Sequence, residues 1–210
     1  MLDNIEVLIH SSIRFNNGLV IYFDPFKINE NYNDADIVFI THSHYDHYSE
    51  EDLKKVIKDN TIIIIPSDLE EKVLEFGFDK ENIIVVKPNE EHNVFGLYFK
   101  TIPAYNTNKN FHPRSNNWVG YIIKYNNYTY YIAGDTDVTE ENKKVKCDVA
   151  FVPIGGRYTM NKEEAAKLIN EIKPKIVVPI HYGLIVGTKE DAILFTKLID
   201  NNIDCKILIK

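Results

Sequence analysis

The sequence predicts an α/β layered fold, with sheets packed together and helices outside, and three observations carry that expectation. Short runs rich in Ile, Val and aromatic residues recur along the whole chain at strand length. Helical periodicity is confined to four segments, which lie towards the two ends and alternate there with strand candidates. The middle holds consecutive strand candidates, two of them separated only by Asn126 and Asn127, a pair suited to a two-residue hairpin turn. With 210 residues, 44% of them hydrophobic, the chain can bury a full core, and its length favours one domain over residues 1–210.

In chain order, strands are expected at residues 6–10, 19–23, 36–40, 61–65 and 82–87, where apolar residues cluster between Asn, Asp, Lys and Gly. Helices are expected at about 50–58 and 68–76, the first opened by Ser49 with Asp52 in the spacing of a capping box. Strands at 94–102, 119–125 and 128–133 form the antiparallel middle. Between the first two of these, residues 104–117 (AYNTNKNFHPRSNN) lack strand character, and a polar loop of that length inside a compact domain is often functional. The final part alternates a strand at 149–153, a helix at 162–172 with Asn161 and Glu164 as its capping box, a strand at 175–180, a helix at 190–201 and a strand at 206–209. The chain has no low-complexity segment, no linker rich in Pro, Gly or Ser, and no short-period repeat.

The balance of 24 basic against 31 acidic residues gives a net charge of −7, with lysines scattered, so long nucleic-acid substrates have little electrostatic support. The start MLDNIEVLIHSSIRF shows no basic segment leading into an apolar one, and no apolar run approaches the roughly 20 residues of a spanning helix. A soluble, cytoplasmic protein is the expectation. Cys147 and Cys205 stand far apart and outside any CxxC pattern, which fits buried free thiols in a reducing compartment rather than metal ligation.

The segment THSHYDHYS, residues 41–49, sets His42, His44, Asp46 and His47 within six positions directly after an apolar run. At this chain's His and Asp frequencies, the spacing HxHxDH arises by chance in roughly one such chain in two thousand. Imidazole and carboxylate suit zinc, manganese and iron. On extended backbone His42 and His44 point the same way, and a turn after Tyr45 would aim Asp46 and His47 at a second ion. Three other predicted strand ends carry ligand types: Asp24 before Pro25, Asp135 after Gly134, and His181 before Tyr182. Singly, each has an ordinary explanation as a turn or a satisfied structural residue. Together they fit an open sheet, whose strand ends converge on one side. His10 and His92 lack such a context and are assigned structural or surface roles.

Asp24, THSHYDH, YIAGDTD and VVPIHYG occur in the order and at about the spacing of the metallo-β-lactamase superfamily, which the chain resembles from about Val7 to its last strand. Within it, IPAYN, HPRSNNWVGY, IAGDTD and PIGGRYTM are similar to small prokaryotic metal-dependent hydrolases related to ascorbate-phosphate lactonases and N-acyl phospholipid phosphodiesterases. The resemblance implies an αββα sandwich, two mixed sheets with helices outside, and a dinuclear metal site. His42 and His44 would hold one ion, Asp46, His47 and His181 the other, Asp135 would bridge them, and Asp24 would orient ligand histidines. One position departs from the pattern: Asn106 stands where the superfamily usually places a third histidine, and His112, six residues on, either replaces it or faces solvent or substrate.

The implied function is a metal-dependent hydrolase that directs metal-bound hydroxide at an ester, lactone or phosphodiester. Asp46 would handle the proton, while Tyr105, His112, Tyr158 or Tyr182 would donate to the developing oxyanion. Of the three arginines, Arg114 and Arg157 lie in loops that the resemblance places near the metals, which suggests a small anionic substrate. The expected cofactor is one or two divalent ions per chain, zinc first, with manganese or iron as alternatives. The expected partner is a small molecule, with no membrane span, nucleic acid disfavoured and a homo-oligomer left open. Two rivals remain: a non-catalytic metal-binding or sensing module on the same fold, for which the Asn106 departure speaks, and a di-iron redox protein, against which the HxHxDH motif and the absence of room for a flavin domain weigh.

Overall fold

The computed structural model describes residues 1–209, which divide into two compact units, one spanning residues 2–87 and the other running from Pro88 onward together with Met1. In the first unit, β1 (Ile5–Ile9), β2 (Ser12–Asn17), β3 (Leu19–Phe23), β4 (Ile37–Phe39), β5 (Ile62–Pro66) and β6 (Ile83–Val86) form one sheet in that order. β1, β2 and β3 pair antiparallel, and β3 to β6 pair parallel. The parallel part reads as continuous apolar sequence because side chains on both strand faces are buried; Ile37, Val38 and Phe39 all are.

Two helices serve this sheet, α1 (Glu50–Val56) and α2 (Glu70–Phe76). Leu53 and Val56, three residues apart on one helical face, pack with Tyr22, Val38, Ile40, Ile63 and Ile65, and Val73 of α2 joins the same cluster. Each such aliphatic side chain contributes roughly 1.5–3 kcal/mol by leaving water. Ser49 caps α1 as expected, accepting from the Asp52 backbone N–H at 3.3 Å. The Asp52 carboxylate also accepts from the backbone N–H of Lys27 and of Ile28, so the cap fastens the segment after β3 to the helix.

The second unit is one sheet of β7 (Glu91–Val94), β8 (Leu97–Pro103), β9 (Val119–Tyr125), β10 (Tyr128–Ile132), β11 (Val149–Pro153), β12 (Ile176–Ile180) and β13 (Asp204–Cys205). Pairing is antiparallel from β7 to β10 and parallel from β10 to β13. α3 (Lys162–Ile172) opens with the predicted capping box of Asn161 and Glu164 and buries Ala165, Leu168, Ile169 and Ile172, a helical stripe. α4 (Lys189–Leu198) opens with a second capping box, Thr188 with Asp191. Both helices join the cluster that holds Val152, Ile154, Val177, Tyr182 and Phe195. The two sheets thus share a plan: antiparallel strands lead into three parallel pairings, and the strand at the change, β3 or β10, is followed by a buried aspartate, Asp24 or Asp135.

Three expectations about strands need correction. β2 was not anticipated, because Arg14, Asn16 and Asn17 dilute its pattern; inside the fold Arg14 is satisfied by Tyr22 at 2.8 Å and Asp34 at 2.5 Å. The expected strand 94–102 is instead the hairpin of β7 and β8, turned by Phe95 and Gly96 at positive φ. The last strand is Asp204–Cys205 rather than 206–209. The hairpin at Asn126 and Asn127 forms as expected, both residues having the positive φ that a type I′ turn requires.

Candidate metal centre

The first unit presents one set of ligand-type side chains. β4 delivers Thr41 and His42 at its C-terminal end, and the chain then turns tightly, His44 C=O accepting from the backbone N–H groups of His47 and Tyr48. That turn puts the rings of His42 and His47 4.0 Å apart, and His42 Nε2 lies 3.1 Å from His44 Nδ1. Asp24, buried at the end of β3, organises the set: Oδ1 accepts from the Thr41 backbone N–H at 2.8 Å, while Oδ2 accepts from the Thr41 hydroxyl at 2.7 Å and meets His47 Nδ1 at 2.7 Å. The predicted orienting role of Asp24 thus has a concrete geometry on His47.

His10 also reaches this set, and of the structural and surface roles expected for it the surface one is excluded by its burial. It is fully buried, with Nε2 3.1 Å from Asp46 Oδ2, and ligand-type atoms of His10, Asp46 and His47 lie within 4.8 Å of one another. His10 forms the tight turn between β1 and β2, at φ 52°. Asp24 and His181 also follow strands at positive φ, 45° and 57°. Non-glycine residues in this region are uncommon and gather at functional sites. The sequence signal for His10, a histidine ending an apolar strand, was the same one that drew attention to His181.

The second unit presents the other set. Asp135 follows β10 and Gly134, and its Oδ2 lies 3.0 Å from His181 Nε2 and 3.3 Å from His112 Nε2. His112 is buried although its polar loop is exposed on either side of it. Asn106 holds it there: the Asn106 side-chain oxygen accepts from the His112 backbone N–H at 3.0 Å and lies 3.1 Å from His112 Nδ1. The Asn106 amide nitrogen donates to the Tyr158 carbonyl at 2.9 Å. Asn106 therefore acts as a brace for His112. The loop is tied down further by the Asp137 carboxylate, which accepts from the Thr107 N–H and from Lys109 Nζ. Behind His181, a Cβ on Gly155 would stand 2.6 Å from the His181 carbonyl and 3.0 Å from its Nδ1, so only glycine fits.

Asn106→Ala is expected to leave His112 unbraced, lowering zinc affinity roughly 10- to 100-fold and stability by about 1–2 kcal/mol. Calorimetric zinc titration and denaturant unfolding measure the two effects. Wild-type affinity in the variant would remove Asn106 from this role.

Both sets carry the imidazole and carboxylate donors that suit a divalent metal. His42 Nδ1 sits 3.0 Å from the Thr41 hydroxyl, His47 Nδ1 meets Asp24 and His112 Nδ1 meets Asn106. An oxygen partner on Nδ1 fixes the tautomer that offers Nε2 as the ligand atom. With bonds of about 2.0–2.2 Å, neighbouring ligand atoms of a tetrahedral ion stand roughly 3.3–3.6 Å apart. The separations of 3.3 Å between Asp135 Oδ2 and His112 Nε2 and of 3.6 Å between His47 Nε2 and Asp46 Oδ2 fall in that range, while the 3.0 Å between Asp135 Oδ2 and His181 Nε2 is shorter.

The remaining expected site residues divide. The Tyr105 hydroxyl donates to Glu141 at 2.9 Å, and Arg114 Nη2 donates to the other Glu141 oxygen at 2.6 Å while its guanidinium lies over the Tyr105 ring. Burial and the Glu141 acceptor raise the Tyr105 phenol above its ordinary pKa. Tyr105 and Arg114 are thus engaged with each other through Glu141. Tyr182 packs into the apolar cluster around α3 and α4, where burial pushes its phenol up to about 12. Arg157 is exposed and stacks on Tyr158. His92 stacks on Phe99 beside Glu90, an ordinary half-buried strand residue. Among the described residues no helix is long and apolar enough to cross a membrane.

Comparison with known proteins agrees with this chemistry. Residues 4–181 match the family model described as the β-lactamase superfamily domain. A UPF0173 metal-dependent hydrolase of Nanoarchaeum equitans is 34% identical, the match covering 85% of this chain and 83% of the relative. One from Pyrococcus horikoshii is 29% identical over 97% and 95% of the two chains. The crystal structure of a Parabacteroides distasonis protein described as a metal-dependent hydrolase superposes with a TM-score of 0.84 at 31% identity, covering 98% of this chain and 93% of that one. Its two mixed sheets with helices accord with the metallo-β-lactamase sandwich, and the chain belongs to the β-lactamase superfamily, among the UPF0173 metal-dependent hydrolases.

Proposed function

We propose that the protein hydrolyses a small anionic ester, lactone or phosphodiester, using one or two divalent ions, with residues 1–210 working as one domain. His42, His44, Asp46 and His47 of the first unit, and His112, Asp135 and His181 of the second, would be the residues that hold metal. Zinc suits this set of imidazoles and carboxylates, with manganese or iron as alternatives. The observation that carries the proposal is the bracing of three imidazoles through Nδ1, by Thr41, Asp24 and Asn106, since a purely structural histidine gains nothing from presenting a fixed Nε2. The family match supports drawing ligand residues from both units, because it runs through both sets.

When bound, the ions polarise the scissile group and make water nucleophilic near neutral pH. Asp46 receives the proton of the attacking water at its carboxylate, which His10 Nε2 steadies at Oδ2. His112 stands beside Asp135, held against rotation by Asn106, and completes the ligand set where the usual third histidine is missing.

The test is removal and return of metal. Chelated protein should lose at least roughly a hundredfold of its activity on 4-nitrophenyl butyrate, γ-butyrolactone or bis(4-nitrophenyl) phosphate, and about one or two zinc ions per chain should restore it. Activity indifferent to chelation, or no turnover of any of the three by zinc-, manganese- or iron-loaded protein, would sink the hydrolytic proposal and favour the sensing module.

A further inference from the structure

We propose that Arg157, Tyr158 and Phe111 form the substrate-recognition subsite, which takes an organic anion with an aromatic or apolar body. The proposal deepens the hydrolytic one above and rests on it for the reaction. Of the three arginines, Arg14 is paired with Asp34 and Arg114 with Glu141. Among the described residues Arg157 has no carboxylate partner; it is exposed, with its guanidinium carbon 5.2 Å from the centre of the Tyr158 ring. Stacking on an aromatic face leaves the guanidinium N–H groups directed outward in their planar fork, which matches a carboxylate or phosphate.

Phe111 meets Tyr158 edge-to-face at 4.7 Å between ring centres, yet remains 45% exposed. An aromatic pair, exposed at Phe111 and half-buried at Tyr158, beside an unneutralised arginine offers an apolar body a surface and its anionic end a partner.

The subsite is fastened to the ligand residues of its own unit. Tyr158 C=O accepts from Asn106, which braces His112, and Phe111 directly precedes His112 in the chain. Gly155, two residues before Arg157, packs against His181. The loop is closed by the Gly155–Asn161 bridge and by the Gly156 N–H donating to Met160 C=O. Arg157 therefore projects from a rigid loop anchored to the holders of two proposed ligands. Such anchoring sets a bound anion at a fixed distance from the reacting atoms, as a specificity group must do.

The test uses zinc-loaded full-length protein and two measurements. Binding of 4-phenylbutanoate and of its neutral amide is followed through Trp118, the single tryptophan, whose ring lies 5.6 Å from that of His112. Turnover is followed on mono(4-nitrophenyl) adipate and on 4-nitrophenyl hexanoate, which share a leaving group and differ in the terminal charge. Wild type should prefer the anion in both. R157A should weaken 4-phenylbutanoate binding and raise KM for the adipate ester roughly ten- to hundredfold, with kcat and the neutral compounds little changed, and R157K should recover part of the loss. Equal treatment of charged and neutral compounds by wild type, or an R157A protein that binds both as wild type does, would overturn the subsite while leaving hydrolysis standing. An anion preference erased in R157A, with neither ester turned over, would uphold the subsite and overturn the reaction.

Discussion

Asp135→Ala is expected to lower kcat/KM by about 10³-fold or more, some 4 kcal/mol of transition-state stabilisation, with little cost to the metal-free fold. The carboxylate is buried, and its Oδ2 faces His181 Nε2 and His112 Nε2 at 3.0 and 3.3 Å. On the proposed assignment Asp135 is a metal ligand set beside two others, so its loss would weaken metal binding and turnover together. In the metal-free protein the same removal takes away only the contacts of one carboxylate oxygen with two imidazoles, so Tm should move by only a few degrees. The two consequences separate cleanly when Tm is measured with and without zinc. Wild type should rise on zinc addition, because a ligand at a thousand times its Kd adds about 4 kcal/mol to stability. The variant should show almost no rise. Retention of zinc and of turnover by Asp135→Ala would remove this residue from the centre.

Much of the strand framework was legible because buried parallel strands are written as uninterrupted apolar runs; β3 and β11 fall where the pattern placed them, as does the antiparallel β9. β2 escaped because its buried arginine depends on Asp34, twenty residues away, which no local window reveals. The HxHxDH cluster was legible because its members are neighbours in sequence. His10 was not, since its link to Asp46 crosses 36 residues and depends on the order of strands in the sheet. Its left-handed backbone, shared with Asp24 and His181, is likewise a property of the folded chain. Asn106 shows the reverse case. The sequence singled out Asn106 as a departure from the resemblance, and the structure shows what its side chain does: its amide braces His112 from the same loop. Tyr105 was singled out by residue type, and Arg114 by residue type and the place the resemblance gives its loop, while their shared partner Glu141 lies beyond any local pattern.

Asp24 offers a way to separate the fold from the metal, through two substitutions with opposite balance. Asp24→Ala should cost about 3–5 kcal/mol, because the Thr41 N–H, the Thr41 hydroxyl and His47 Nδ1 all lose a buried acceptor. Alanine is also strained at φ 45°, a conformation asparagine tolerates. Asp24→Asn should therefore be the milder change for stability, about 1–2 kcal/mol, since its carbonyl can still accept from the Thr41 N–H. Its amide would then face His47 Nδ1 with donors. To accept that hydrogen bond the imidazole must move its proton to Nε2, the atom otherwise offered to metal. Asp24→Asn should accordingly lose zinc affinity roughly 10- to 100-fold, at a Tm well above that of Asp24→Ala. Paired unfolding curves and zinc titrations resolve the two effects, and an Asn variant that binds zinc like wild type would show that the tautomer of His47 is not set by Asp24.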